Sequence, residues 1–287
     1  MNKDQFLLRM KAIVLWLSIL LFGCHLLYAQ DEKAENSLGL QYGIHFLSRQ
    51  DQLFSPMVYH AVSPLNGNLN FMNQKENRIH WAELEFNLYD ASWHEPYNYQ
   101  TGFDSIETHT TLPTGYTVVS LRYSFLKSVS EAPSLKLYAG GISDNQINAI
   151  DNQYAQFSTF GYFAHLSLAP VVIASYAISG KHQLEVVAWL PLISWISRSP
   201  YAVNDDAYMQ NNADHNGVKT FFRYLGDGNI HLINRYQQFN LNIGYSYRLS
   251  NRWSIGAEYR FEFMRDTKPL TMISFQHFIN LKTSFQF

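Results

Sequence analysis

Three groups of residues have types and spacings that could do chemistry. His165 and Ser167 are two residues apart, which on an extended strand puts both side chains on the same face. There the imidazole could take the hydroxyl proton and make the serine oxygen a nucleophile. A second group, Glu83, Glu85, Arg122, Arg248, Glu258, Arg260, Glu262 and Lys282, falls between apolar residues at alternate positions, as an ionic network on one side of a sheet would. Such a network could fill an interior, form a charged constriction for small solutes, or supply paired carboxylates for acid–base work. Asp205, Asp206, Asp214 and His215 lie in a long segment rich in Asn and Asp. Those carboxylates could meet calcium, or a lipid phosphate through a divalent cation, but no regular ligand spacing appears. His60, His80, His94 and His109 show no metal spacing either, so no metal site and no cofactor is expected. The aromatic-rich stretch 93–99 could grip a ligand or pack over an opening.

The elements that must position these residues are strands. Phe239, Leu241, Ile243, Tyr245, Tyr247 and Leu249 alternate with Asn240, Asn242, Gly244, Ser246 and Arg248, and a turn at Ser250 and Asn251 leads into a second alternating run from Trp253 to Phe263. The last segment, 275–287, repeats the pattern, and so do 38–46, 82–88, 119–125 and, less cleanly, 184–190. One face of each run is greasy and uncharged while the other is polar, the period of a strand standing between two solvents. An Arg or Lys pointing into lipid at mid-depth costs about 2–4 kcal/mol, which explains the uncharged face.

The ends and the composition narrow the class. Lys3, Arg9 and Lys11 precede an apolar run over 12–27, and Ala29 precedes acidic sequence, the layout of a cleaved secretory signal over 1–29 with the mature domain spanning 30–287. A retained helix and lipidation at Cys24 are the competing readings of this segment. Cleavage would remove the only cysteine, leaving no disulfide or thiolate chemistry. It would leave 18 basic against 22 acidic residues, and with no basic cluster nucleic acid is not an expected partner. No later apolar run can span a bilayer as a helix. The 16% aromatic content suits aromatic girdles at two membrane–water boundaries.

Connection lengths then fix strand number. Short turns are read at 74–77, 127–134, 179–181 and 250–251, and long connections at 90–114, 143–156 and 194–235. Short turns belong on the periplasmic side and long loops outside. Counting back from the last strand gives about ten strands with both ends in the periplasm, or twelve if 219–233 folds as a further hairpin. Closure is required, because an open edge would leave backbone groups unpaired in hydrocarbon.

The terminal Phe285-Gln286-Phe287 resembles the insertion signal of outer-membrane barrel proteins, which ends hydrophobic–x–aromatic. That resemblance implies handling by the barrel-assembly machinery, with outer-membrane lipids around the folded chain. His165-Leu166-Ser167 resembles in spacing the active-site strands of outer-membrane phospholipase A and the lipid A deacylases. Leu168 stands where those families carry Asn, and alternation turns His165 and Ser167 inward, away from lipid. The Asp and His residues of 205–215, with ten strands, resemble the omptin-type barrel proteases in residue type alone. The expected architecture is an all-β, closed antiparallel transmembrane barrel of the Gram-negative outer membrane. Its lumen is expected to be largely filled by side chains, and the chain to be non-enzymatic. A narrow porin-like channel and a lipid hydrolase using His165 and Ser167 are the alternatives.

Overall fold

A computed structural model describes residues 35–287 except 65, 76, 102–105, 155–156 and 201–216. The proposed signal with Cys24, and Asp205, Asp206, Asp214 and His215, lie outside the described residues. The wall begins with β1 (Glu35–Asp51), β2 (Ser55–Ser63), β3 (Asn66–Lys75) and β4 (Arg78–Ala91). A small outer hairpin, β5 (Asn98–Thr101) and β6 (Glu107–Thr110), comes next. It is followed by β7 (Thr114–Glu131), β8 (Leu135–Tyr154), β9 (Phe157–Ala177), β10 (His182–Trp189) and β11 (Ile193–Arg198). Helix α1 (Gly217–Gly226), β12 (Asn229–Leu232), β13 (Tyr236–Arg248), β14 (Trp253–Asp266) and β15 (Met272–Gln286) complete the chain.

All pairings are antiparallel, and the sheet closes where β1 meets β15 from Ser37 opposite Gln286 to Asp51 opposite Met272. Two wall strands are each built from two pieces. β1 pairs with β3 along its lower half and with β2 along its upper half. β9 likewise pairs with β10 below and β11 above. The breaks fall beside Pro64 and Pro191, which cannot donate to a ladder. With each broken strand counted once, and β12 continuing into β13, the barrel has ten strands. The twelve-strand alternative is therefore corrected: 219–233 forms most of α1 and the short β12 instead of a hairpin. The long connection read at 143–156 is also corrected, because β8 continues to Tyr154 as part of the wall.

At the first break the ladder is completed by a side chain. Asn66 donates from Nδ2 to the Gly43 carbonyl, and its Oδ1 accepts the Gly43 N–H at 3.0 Å. Gly43 lies between the stretch of β1 paired with β3 and the stretch paired with β2. Its backbone groups thus find partners where the neighbouring strand supplies none, as a low-dielectric wall requires.

The two faces of the wall differ as the alternation predicts. On β15, Ile279 and Leu281 expose 57% and 73% of their surface while Asn280 between them exposes 2%. The interior is more apolar than a wholly wet lumen would be. Ile79, Leu126, Tyr138, Ile142, Val171, Ile173, Val187 and Trp189 pack together inside β4 and β7–β10. A second apolar cluster around Tyr89, Tyr116 and Ile150 sits nearer the outer end. Val187 and Trp189, which blur the alternation in sequence, are interior packing residues.

Candidate functional site

The register of three wall strands assembles the centre of the lumen. Glu83 lies opposite Arg122, and Arg122 opposite Asp144, so an acid, a base and an acid stand side by side facing inward. Arg122 donates from Nη1 to Glu83 at 2.6 Å and Glu85 at 2.8 Å, from Nε to Asp144 at 3.1 Å, and from Nη2 to Glu262 at 2.9 Å. From β14 across the lumen, Arg260 reaches Glu83 at 3.3 Å, Glu262 at 3.2 Å and Glu85. Its guanidinium also lies 3.9 Å from the centre of the Phe278 ring, a cation–π contact. Trp189 Nε1 and Gln238 Nε2 donate to Asp144 at 2.9 and 3.0 Å. Two guanidiniums thus gather four carboxylates. Arg260, Glu85, Phe278 and His165 each expose less than 2% of their surface, so a water-sized sphere barely touches this layer.

Five of the eight charged residues singled out in the sequence, Glu83, Glu85, Arg122, Arg260 and Glu262, meet in this network. Glu258 and Lys282 face the same space beside Gly244, but among the described residues no ion pair joins them. Arg248 is exposed at the mouth of the barrel beside the short turns, outside the network. Asp144 is the member that sequence reasoning missed. Its signal was present as the two-residue spacing of Asp144, Gln146 and Asn148, which reads as a polar lumen face.

Below the network a cavity of about 520 Å³ opens toward the short turns at 179–181 and 250–251. Glu185, Glu258, Lys282 and Trp81 are among its lining residues. Above the network, a second charged layer ties wall to loop. Arg198 pairs with Asp51 and Asp266, and donates to the carbonyls of Lys268 and Leu270 at 2.9 and 2.7 Å. His231 lies 3.2 Å from Asp266. One arginine on β11 therefore holds β1, β14 and the outer loop after β14 together.

His165 and Ser167 do meet: Nδ1 lies 3.1 Å from the hydroxyl, which in turn is 2.7 Å from the Ser194 hydroxyl. The third member is a serine, and the neighbouring acid, Asp144, is engaged by Arg122, Trp189 and Gln238. Both residues point into the packed lumen and are buried. Phe285 and Phe287 stack with ring centres 6.2 Å apart at the short-turn rim, and Phe287 N–H donates to the Asn36 carbonyl at 2.9 Å.

No family model and no curated protein matches the sequence. Among solved structures, the outer membrane protease OmpT from Escherichia coli is similar at a TM-score of 0.50 and 6% identity, over 91% of this chain and 99% of that one. Neisserial surface protein A aligns at a TM-score of 0.38 and 8% identity, over 89% and 100% of the two chains. An outer membrane channel from Pseudomonas putida F1 aligns at 0.39 and 10%, over 90% and 97%. At such identities the likeness to OmpT speaks for the fold and not for the activity. The chain has the fold of the Gram-negative outer-membrane β-barrels.

Proposed function

We propose that the protein is an integral outer-membrane barrel, exported through a signal over 1–29, whose lumen is closed by its own side chains. Its working surface is then the outer loops instead of a pore. The carrying observation is the buried layer in which Arg122 and Arg260 bridge Glu83, Glu85, Asp144 and Glu262. Charges held this tightly, with apolar packing beside them, leave a hydrated ion no path it could enter without breaking the network. Phe285 and Phe287, at the end of the seam strand, are positioned to be read by the assembly machinery during insertion.

Planar-bilayer recording tests the closed lumen. The purified protein is expected to give no steady open current. Regular single-channel steps would favour the porin-like reading, which the periplasmic cavity supports. The 3.1 Å contact between His165 and Ser167 is the observation that favours a hydrolase. Against it stands the burial of both groups, since a substrate acyl group must reach the serine oxygen. A His165→Ala variant is expected to leave membrane lipid composition and esterase activity unchanged. A clear drop in acyl hydrolysis would overturn the non-enzymatic reading.

A further inference from the structure

The outer wall is not uniform around its periplasmic rim. Along β13–β15 the outward residues nearest the rim include Leu249, Trp253, Phe285 and Phe287, all of them apolar or aromatic. Across β3, β4 and β7 they are Lys75, Arg78 and Lys127. Parity fixes the side on which these three point. Phe71, Phe86 and Phe125 are exposed on the same three strands, and each cation lies an even number of residues from one of them.

The three cations also share one level. Lys75 is the cross-strand partner of Arg78, and Arg78 is the partner of Lys127. Directly opposed residues have Cβ atoms about 5 Å apart, and like charges in that arrangement repel. Among the described residues none of the three has an ion-pair partner. One step further into the membrane, His80 and Tyr123 also point outward, with Nδ1 2.8 Å from the phenol oxygen. A row of cations without an ion-pair partner among the described residues, at the rim of an otherwise greasy wall, calls for an anion, and the surface it faces is lipid.

We propose that Lys75, Arg78 and Lys127 form a binding site for the phosphodiester headgroup of an anionic glycerophospholipid in the periplasmic leaflet. His80 and Tyr123 stand above it, beside the glycerol and ester region. The site rests on the inserted orientation proposed above and on nothing about the lumen, so a conducting barrel would leave it intact.

The test is lipid retention by the protein in nanodiscs of phosphatidylcholine with a minor fraction of phosphatidylglycerol, read by native mass spectrometry. Wild type is expected to retain phosphatidylglycerol over phosphatidylcholine on the order of tenfold, as a few interfacial cations allow. K75Q/R78Q/K127Q should fall to near parity, with folding checked by the mobility of unheated protein on gels. Lys127→Gln alone, at an exposed position, should lower the preference roughly twofold to threefold and covers the case in which the triple variant does not fold. K181Q/R252Q, which removes two other cations from periplasmic turns, should keep the wild-type preference. A wild-type protein without the preference, or a preference that survives the triple variant, would overturn the site. Inorganic phosphate is the second arm: binding that needs all three cations but comes without lipid preference would assign the row to a free anion and overturn the lipid assignment.

Discussion

Replacing Arg122 with alanine is expected to destabilise the folded barrel by about 3–5 kcal/mol, the cost of stripping one partner from a buried charge cluster. Arg122 makes contacts of 3.1 Å or less to all four carboxylates of the layer. Arg260 reaches Glu83, Glu85 and Glu262 but makes no ion pair with Asp144. The variant would therefore leave Asp144 with two neutral donors and crowd three more carboxylates around one guanidinium. Urea unfolding in lipid vesicles, followed by tryptophan fluorescence, measures the loss. Two comparisons give it meaning. Arg248→Ala, at an exposed site, should stay within about 0.5 kcal/mol of wild type. Adding Glu262→Gln and Asp144→Asn to Arg122→Ala should recover part of the loss, because the neutral amides no longer carry an unpaired charge. An equal loss in the Arg122 and Arg248 variants would contradict the network as the centre of stability.

Any side chain at Gly43 should impair closure of the barrel. A Cβ there would stand 1.9 Å from the Ile279 carbonyl oxygen and 2.7 Å from the Asn280 Cα, both on β15 across the seam. Backbone cannot swing aside as a flexible side chain can. Relief must come from separating the first and last strands, or from breaking the two bonds to Asn66. Overpacking of this kind costs on the order of 1–3 kcal/mol, and the lost backbone bonds add about 1 kcal/mol or more. Gly43→Val should show a smaller fraction of compact, fast-migrating species on unheated gels and a lower urea midpoint. Gly180→Ala, with nothing within 4 Å of the added carbon, should match wild type. Seam failure would then be separable from a general intolerance of glycine replacement.

The wall of the barrel was legible because lipid permits so little on its outer face. The runs around 239–249, 253–263 and 275–287 are uncharged outside, and the structure pairs them as β13, β14 and β15. β8 was misread for the complementary reason. Asp144, Asn145, Gln146, Asn148, Asp151 and Asn152 have the composition of a loop. Yet Asp144, Gln146 and Asn148 all face inward, where the network needs such groups, and polarity alone does not separate lumen from solvent. The continuation of the wall past Pro191 escaped notice because a proline interruption resembles a turn until the flanking register is known. In the site, the inward charges could be named from parity. Which of them touch depends on strand stagger and on distances across the lumen. That is why Glu258 and Lys282 end beside the cavity while Asp144 joins Arg122.

The cavity at the short-turn end would have an electrical and osmotic consequence in the proposed orientation. The cavity opens on the turn side and extends to the level of Glu258 and Lys282. Beyond that level lie the guanidinium–carboxylate layer and, further out, the Arg198 clamp. With the lumen closed as proposed, any voltage or solute gradient between cell exterior and periplasm would fall across that upper partition alone, not over the full height of the wall. The field acting on Arg122 and Arg260 would then be steeper than the thickness of the bilayer suggests.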